Sequence, residues 1–82
     1  MSAGLAANKP KLNSRLQQWL DEAGLNYTQL ANEIETKTGG TVSVGAIRRI
    51  AKNQLDRIDI SNALEITQFF GKRFDELFYE ER

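Results

Sequence analysis

An 82-residue chain with neither cysteine nor histidine builds no disulfide and no thiolate or imidazole metal site, and it lacks the commonest general base. Its 11 basic and 11 acidic residues cancel, so a polyanionic partner would have to be met by local charge rather than net charge. No apolar run approaches the ~18 residues that suggest a membrane span, and "MSAGLAANKPK" has no basic region ahead of a long apolar stretch, as a secretory signal would.

The length suits one domain with a small core. Residues 1–10 are small and polar with no period, and are expected to form a flexible N-terminal arm carrying Lys9, with Lys11 just after it. Residues 11–82 then make up the domain. Leu12, Leu16, Trp19, Leu20 and Ala23 recur at helical spacing, and Gly24 follows as a stop signal. Asn26 with Gln29 gives a capping-box pattern, worth ~1 kcal/mol, ahead of the apolar stripe Tyr27, Leu30, Ala31 and Ile34. This second helix is expected to fray through Glu35–Thr38 and end at Gly39-Gly40. Ser43 is an N-cap for a third helix with Val44, Ile47, Ile50 and Ala51 on one side and Arg48, Arg49 and Lys52 elsewhere, and Asn53 is suited to a left-handed exit. Asp59 or Ser61 opens a fourth helix containing Ile60, Ala63, Leu64, Ile66, Phe69 and Phe70, which Gly71 ends. In "FDELFYEE", Phe74, Leu77 and Phe78 share a face, with Phe74 and Leu77 expected to close the core. The expected architecture is an all-α, compact five-helix domain.

Charge is distributed unevenly. Residues 42–58 contain Arg48, Arg49, Lys52 and Arg57 against Asp56, whereas residues 61–82 hold five acidic side chains against three basic ones. The basic centre begins in "GGTVSVGAIRRIAKNQ", residues 39–54, which admits three readings. Gly40 and Gly45 have the spacing of a phosphate loop, but Ala46 and Ile47 stand where its Lys and Ser/Thr belong. Thr41–Val44 alternates like a strand, yet it has only four residues and no partner run beside it. A helix-turn-helix fits better: Leu30, Ala31 and Ile34 supply the first helix, Val42 plugs the gap between helices, Ile47 and Ile50 anchor the second, and small Gly45 and Ala46 permit close approach.

"NYTQLANEI" followed by "VSVGAIRRIAKNQ" resembles the Cro and phage-repressor (Xre-like) helix-turn-helix family, and "RIDISNALEITQFFGKRFDELF" is similar to the end of its small bacterial members. The resemblance covers roughly residues 12–79. It implies a repressor-like domain that reads double-stranded DNA as a small transcriptional regulator, with residues 43–52 as recognition helix in the major groove. On that reading Ser43 bonds a phosphate from the helix N-terminus. Val44 meets a thymine methyl, Gly45 lets the backbone approach, and Arg48 and Arg49 read bases through paired bonds to guanine. Arg49 is favoured for bases, while Arg48 is divided between base and phosphate. Lys52, Asn53, Gln54 and Arg57 contact phosphates, as do Thr28 and Gln29 from the preceding helix. Phe78 and Tyr79 are candidates for a homodimer contact, since many such readers bind paired half-sites. The chain departs from the family in three places. The connection through Glu35–Thr41 is about six residues longer, implying an extended first helix or a protruding loop. Tyr27 replaces the usual Gln, and Val44 and Gly45 cannot make paired hydrogen bonds.

With no His, Cys or phosphate loop, catalysis is not expected, and Asp21-Glu22 reads as helix surface charge. Neither cofactor, metal, small-molecule substrate nor membrane is expected, and a cytoplasmic location is. The alternative to DNA reading is a protein-interaction module on the same helical fold, which the zero net charge favours and in which Arg48 and Arg49 meet an acidic partner.

Overall fold

A computed structural model describes residues 11–56 and 59–81. The expected N-terminal arm and Arg57 lie outside that range. Strand β1 (Lys11–Ser14) leads into helices α1 (Leu16–Ala23), α2 (Tyr27–Thr38), α3 (Val44–Ala51), α4 (Ile60–Phe70) and α5 (Phe74–Leu77), and strand β2 (Phe78–Glu81) follows directly. Five helices are present as anticipated, but the fold is not strictly all-α: β1 and β2 pair antiparallel, with Leu12 opposite Glu80 and Ser14 opposite Phe78.

That sheet revises both ends of the domain. The first helix starts at Leu16, not Leu12, whose side chain lies exposed on β1. Asn13 and Ser14 are weak helix formers that bond readily to other backbone. Ser14 uses that capacity on α3, as described below. The last helix stops at Leu77, because Phe78 and Tyr79, both good strand residues, turn extended. Leu77 is fully buried as expected, but Phe74 is exposed and it is Phe78 that packs against the core, with the two rings 5.3 Å apart.

The helix signals are otherwise realised. The Asn26 carboxamide accepts from the Gln29 N–H at 2.7 Å, and Gln29 Oε1 accepts from the Asn26 N–H at 2.9 Å, closing the capping box. Ser43 Oγ accepts from the Ala46 N–H at 3.1 Å. Of the two caps considered for α4, Asp59 serves. The hydroxyl and the N–H of Ser61 both donate to it and hold its carboxyl below the usual carboxylate range. Gly24 and Gly71 end their helices in the left-handed region, as does Asn53 after α3.

The core is a layer shared by all five helices. Leu16, Trp19 and Leu20 of α1 meet Leu30 and Ile34 of α2, Ile47 and Ile50 of α3, Ile66 of α4, and Leu77. Trp19 is core, as its spacing suggested, and its ring lies 5.3 Å from that of Phe70. Ala46 is also buried, so its small size serves packing rather than approach to an outside partner. On α4, Ile60 and Leu64 are 56% and 43% exposed, while Thr67 takes an inner position.

Candidate nucleic-acid interface

The long connection between α2 and α3 is mostly helix. Of the residues in question, Glu35–Thr38 complete α2 without fraying. Three local bonds hold this last turn. Lys37 pairs with Glu33 at 3.1 Å, the Thr38 hydroxyl donates to the Ile34 carbonyl at 2.7 Å, and the Gly39 N–H donates to Glu35 O at 3.1 Å. Gly39 then turns the chain at φ 73°, a conformation that costs a residue with a Cβ. The Glu65 carboxylate, from α4, fills the space where a Cβ on Gly40 would stand. Val42 inserts into the core just before the Ser43 cap, as predicted. The result is an extended first helix and a short turn with the Glu65 side chain of α4 against Gly40, not a protruding loop.

This turn delivers α3 with one face inward and one outward. Ala46, Ile47, Ile50 and Ala51 are buried. Gly45, Arg48, Arg49 and Lys52 fall at i, i+3, i+4 and i+7, on one opposite face. Gly45 sits at the N-terminal end of that face, and an Arg49 nitrogen lies 4.0 Å from where its Cβ would be. Arg49 therefore folds back along the helix toward the N-terminus. Val44, at the edge, is half-buried.

The three cations of this face differ from four others among the described residues. Arg15 lies over the Tyr79 ring at 4.5 Å, Lys72 over Trp19 at 5.5 Å, Arg73 pairs with Asp75 at 2.9 Å, and Lys37 pairs with Glu33. Among the described residues, no carboxylate or ring engages Arg48, Arg49 or Lys52, and α3 contains no acidic residue. An exposed basic face without internal partners keeps its full field for an outside anion.

The remaining candidates divide. Gln54 is exposed beyond the helix. Asn53 is exposed, but its Oδ1 accepts from the Ser14 N–H at 2.7 Å, which gives it a structural role. Ser43 is spent as a cap only through its lone pair, and its hydroxyl hydrogen stays a donor. Thr28 is exposed on the first turn of α2, and Gln29 is engaged through Oε1 in the capping box. Tyr79 is exposed beneath Arg15, while Phe78 is half-buried.

Ser14 was not legible as part of this site. Its hydroxyl donates to the Ile50 carbonyl at 2.6 Å and accepts from the Leu16 N–H at 3.3 Å. With the bond to Asn53, it ties the C-terminal end of α3 to the sheet and to the start of α1. The Asn-Ser pair ahead of the apolar run was the available signal, since such residues end helical runs more often than they extend them.

Gly45 offers a test of the geometry. It is helical with no positive φ, and a Cβ there would meet nothing closer than the Arg49 side chain. Gly45→Ala is expected to stabilise the fold by up to about 0.5–1 kcal/mol, read as a raised thermal midpoint. A loss of stability would mean that this face is not open.

None of the described helices is long and apolar enough to cross a membrane, and the described residues contain no His, Cys, Asp or Glu cluster able to hold a metal. No known protein family, curated protein or solved structure matches the chain.

Proposed function

We propose that the chain binds double-stranded DNA sequence-specifically as a small transcriptional regulator, with α2 and α3 acting as a helix-turn-helix and α3 lying in the major groove. The observation that carries this reading is the outer face of α3, where Arg48, Arg49 and Lys52 share one side with Gly45 and have no partner among the described residues. An α-helix fits the major groove, and a glycine on its outer face brings the backbone close to the base edges. Ser43 and the α3 N-terminus receive a phosphate, Arg49 and Arg48 reach base edges, and Lys52 and Gln54 follow the backbone. Zero net charge favours a second reading, in which the same face docks an acidic protein.

Selection of binding sites from random duplex DNA at two salt concentrations separates the two. An enriched sequence with salt-sensitive affinity is the expected result, and retention of no duplex at low salt would leave only the protein partner. Lys52 sharpens the test. Lys52→Ala is expected to reduce the slope of log affinity against log salt by about 1, one counterion's worth. An unchanged slope would place Lys52 away from the phosphates.

A further inference from the structure

Arg15, Trp19, Arg73, Asp75 and Glu76 line an open cavity of about 540 Å³ where the start of α1 meets α5. That volume falls within the ~300–1,000 Å³ of small-molecule sites, and α3 contributes no residue to it. The two guanidiniums and two carboxylates of the lining balance in charge. Arg73 pairs with Asp75 at 2.9 Å, and its N–H donates to Glu76 Oε1 at 3.2 Å. Arg15 is held differently. Its Nη1 donates to the Glu76 backbone carbonyl at 3.1 Å, and its guanidinium lies over the Tyr79 ring. These contacts fix the group in place, yet no carboxylate among the described residues neutralises it.

We infer that this cavity binds a free α-amino acid with an apolar side chain. The remaining edge of the Arg15 fork matches the spacing of a carboxylate. Glu76 Oε2 and Asp75 Oδ1 accept no bond among the described residues and suit an ammonium group. Trp19, the one ring of the lining, offers an apolar edge to the ligand side chain. Charge selects against simpler ligands. An anion drawn to Arg15 also meets two carboxylates, and an amine drawn to those meets two guanidiniums, whereas a zwitterion satisfies both signs. The cavity is open and its Arg73–Asp75 pair is exposed, so the charges are screened and the Kd is on the order of 1 mM. Binding here is independent of whether α3 reads DNA.

The test uses the full chain without DNA and L-phenylalanine as probe. Hydrocinnamate, which lacks the ammonium, and phenethylamine, which lacks the carboxylate, are the controls. Trp19 is the one tryptophan of the chain, so its fluorescence reports occupancy, and ¹⁵N shifts of the Arg15, Arg73 and Glu76 amides locate it. Titration to about 20 mM, well above that Kd, is expected to give a saturable change with phenylalanine and several-fold weaker binding of either control. Arg15→Gln should weaken phenylalanine binding roughly 10-fold, the loss of a charged hydrogen-bond pair. Glu76→Gln keeps an acceptor for the Arg73 N–H but removes the charge, so it should erase the preference for phenylalanine over hydrocinnamate. This second variant also decides the matter if Arg15→Gln is poorly folded. No saturable change, equal binding of hydrocinnamate and phenylalanine by the wild type, or unaltered binding in a folded Arg15→Gln would each overturn the proposal.

Discussion

Ser14→Ala is expected to destabilise the fold by about 1–3 kcal/mol, a shift of roughly 4–8 °C in the thermal midpoint per kcal/mol for a domain of this size. The hydroxyl is buried and makes two bonds, one given to Ile50 O and one taken from the Leu16 N–H. Alanine removes both. The Ile50 carbonyl keeps the Asn53 N–H at 3.1 Å, but the Leu16 N–H loses its acceptor, and burial restricts water from replacing it. The Ser14 N–H keeps its bond to Asn53, so the strand stays in register while α3 loses one of the two bonds that Ser14 makes to its C-terminal end. The local signature is faster hydrogen exchange at the Leu16 amide, beyond what the global loss of stability explains. A midpoint within 1 °C of wild type, or an unchanged Leu16 amide, would refute this role.

Asn53 makes the same joint testable from the other side. Its φ of 63° suits Asn and Gly, so the residue type was legible as a helix exit. Its bond to Ser14 was not, because 39 positions separate the two. The same division runs through the whole molecule. Caps and stops are local, and the capping box at Asn26–Gln29, the Ser43 cap and the Gly24, Gly39 and Gly71 stops all stand where side-chain chemistry puts them. The two strands are non-local. β1 and β2 have four residues each and come from opposite ends of the domain. Neither has an alternating pattern long enough to announce itself, and a helical reading of Leu12 and of Phe78 satisfied every local rule. Which apolar residues of α4 face inward was not legible for a related reason: periodicity cannot tell a core neighbour such as Ile66 from an open surface such as that of Ile60 and Leu64. The length of the α2–α3 connection was visible in the sequence, but whether helix or loop absorbed it depended on Lys37, Thr38 and Gly39 acting together.

These non-local ties bear on how α3 is presented. Its N-terminal end is set by Val42 and the Ser43 cap beneath a turn that Glu65 covers. Its C-terminal end is held by Ser14 and Asn53 against a sheet made from both ends of the domain. Between those anchors the inner face contributes only Ala and Ile, which leaves the helix rigidly mounted and the outer cations unengaged.

Arg49→Ala is expected to lower affinity for the selected site by roughly 10-fold or more, the ~1–3 kcal/mol that a bidentate guanine contact contributes to discrimination. Affinity for a scrambled duplex at the same salt should fall only by the share of one lost cation. The guanidinium lies back over Gly45, toward the end of α3 that would enter the groove. It has no partner among the described residues to leave behind, so the substitution should leave the thermal midpoint unchanged and the loss can be assigned to the contact. Arg49→Lys separates charge from geometry: it keeps the cation but not the planar fork. Binding to scrambled DNA should therefore survive in the lysine variant while the preference for the selected site falls nearly as far as in the alanine variant. Fluorescence anisotropy on the two duplexes reads all four quantities. Equal losses on both duplexes would make Arg49 a phosphate contact and shift base reading to Arg48, whose own alanine variant would then show the sequence-dependent loss.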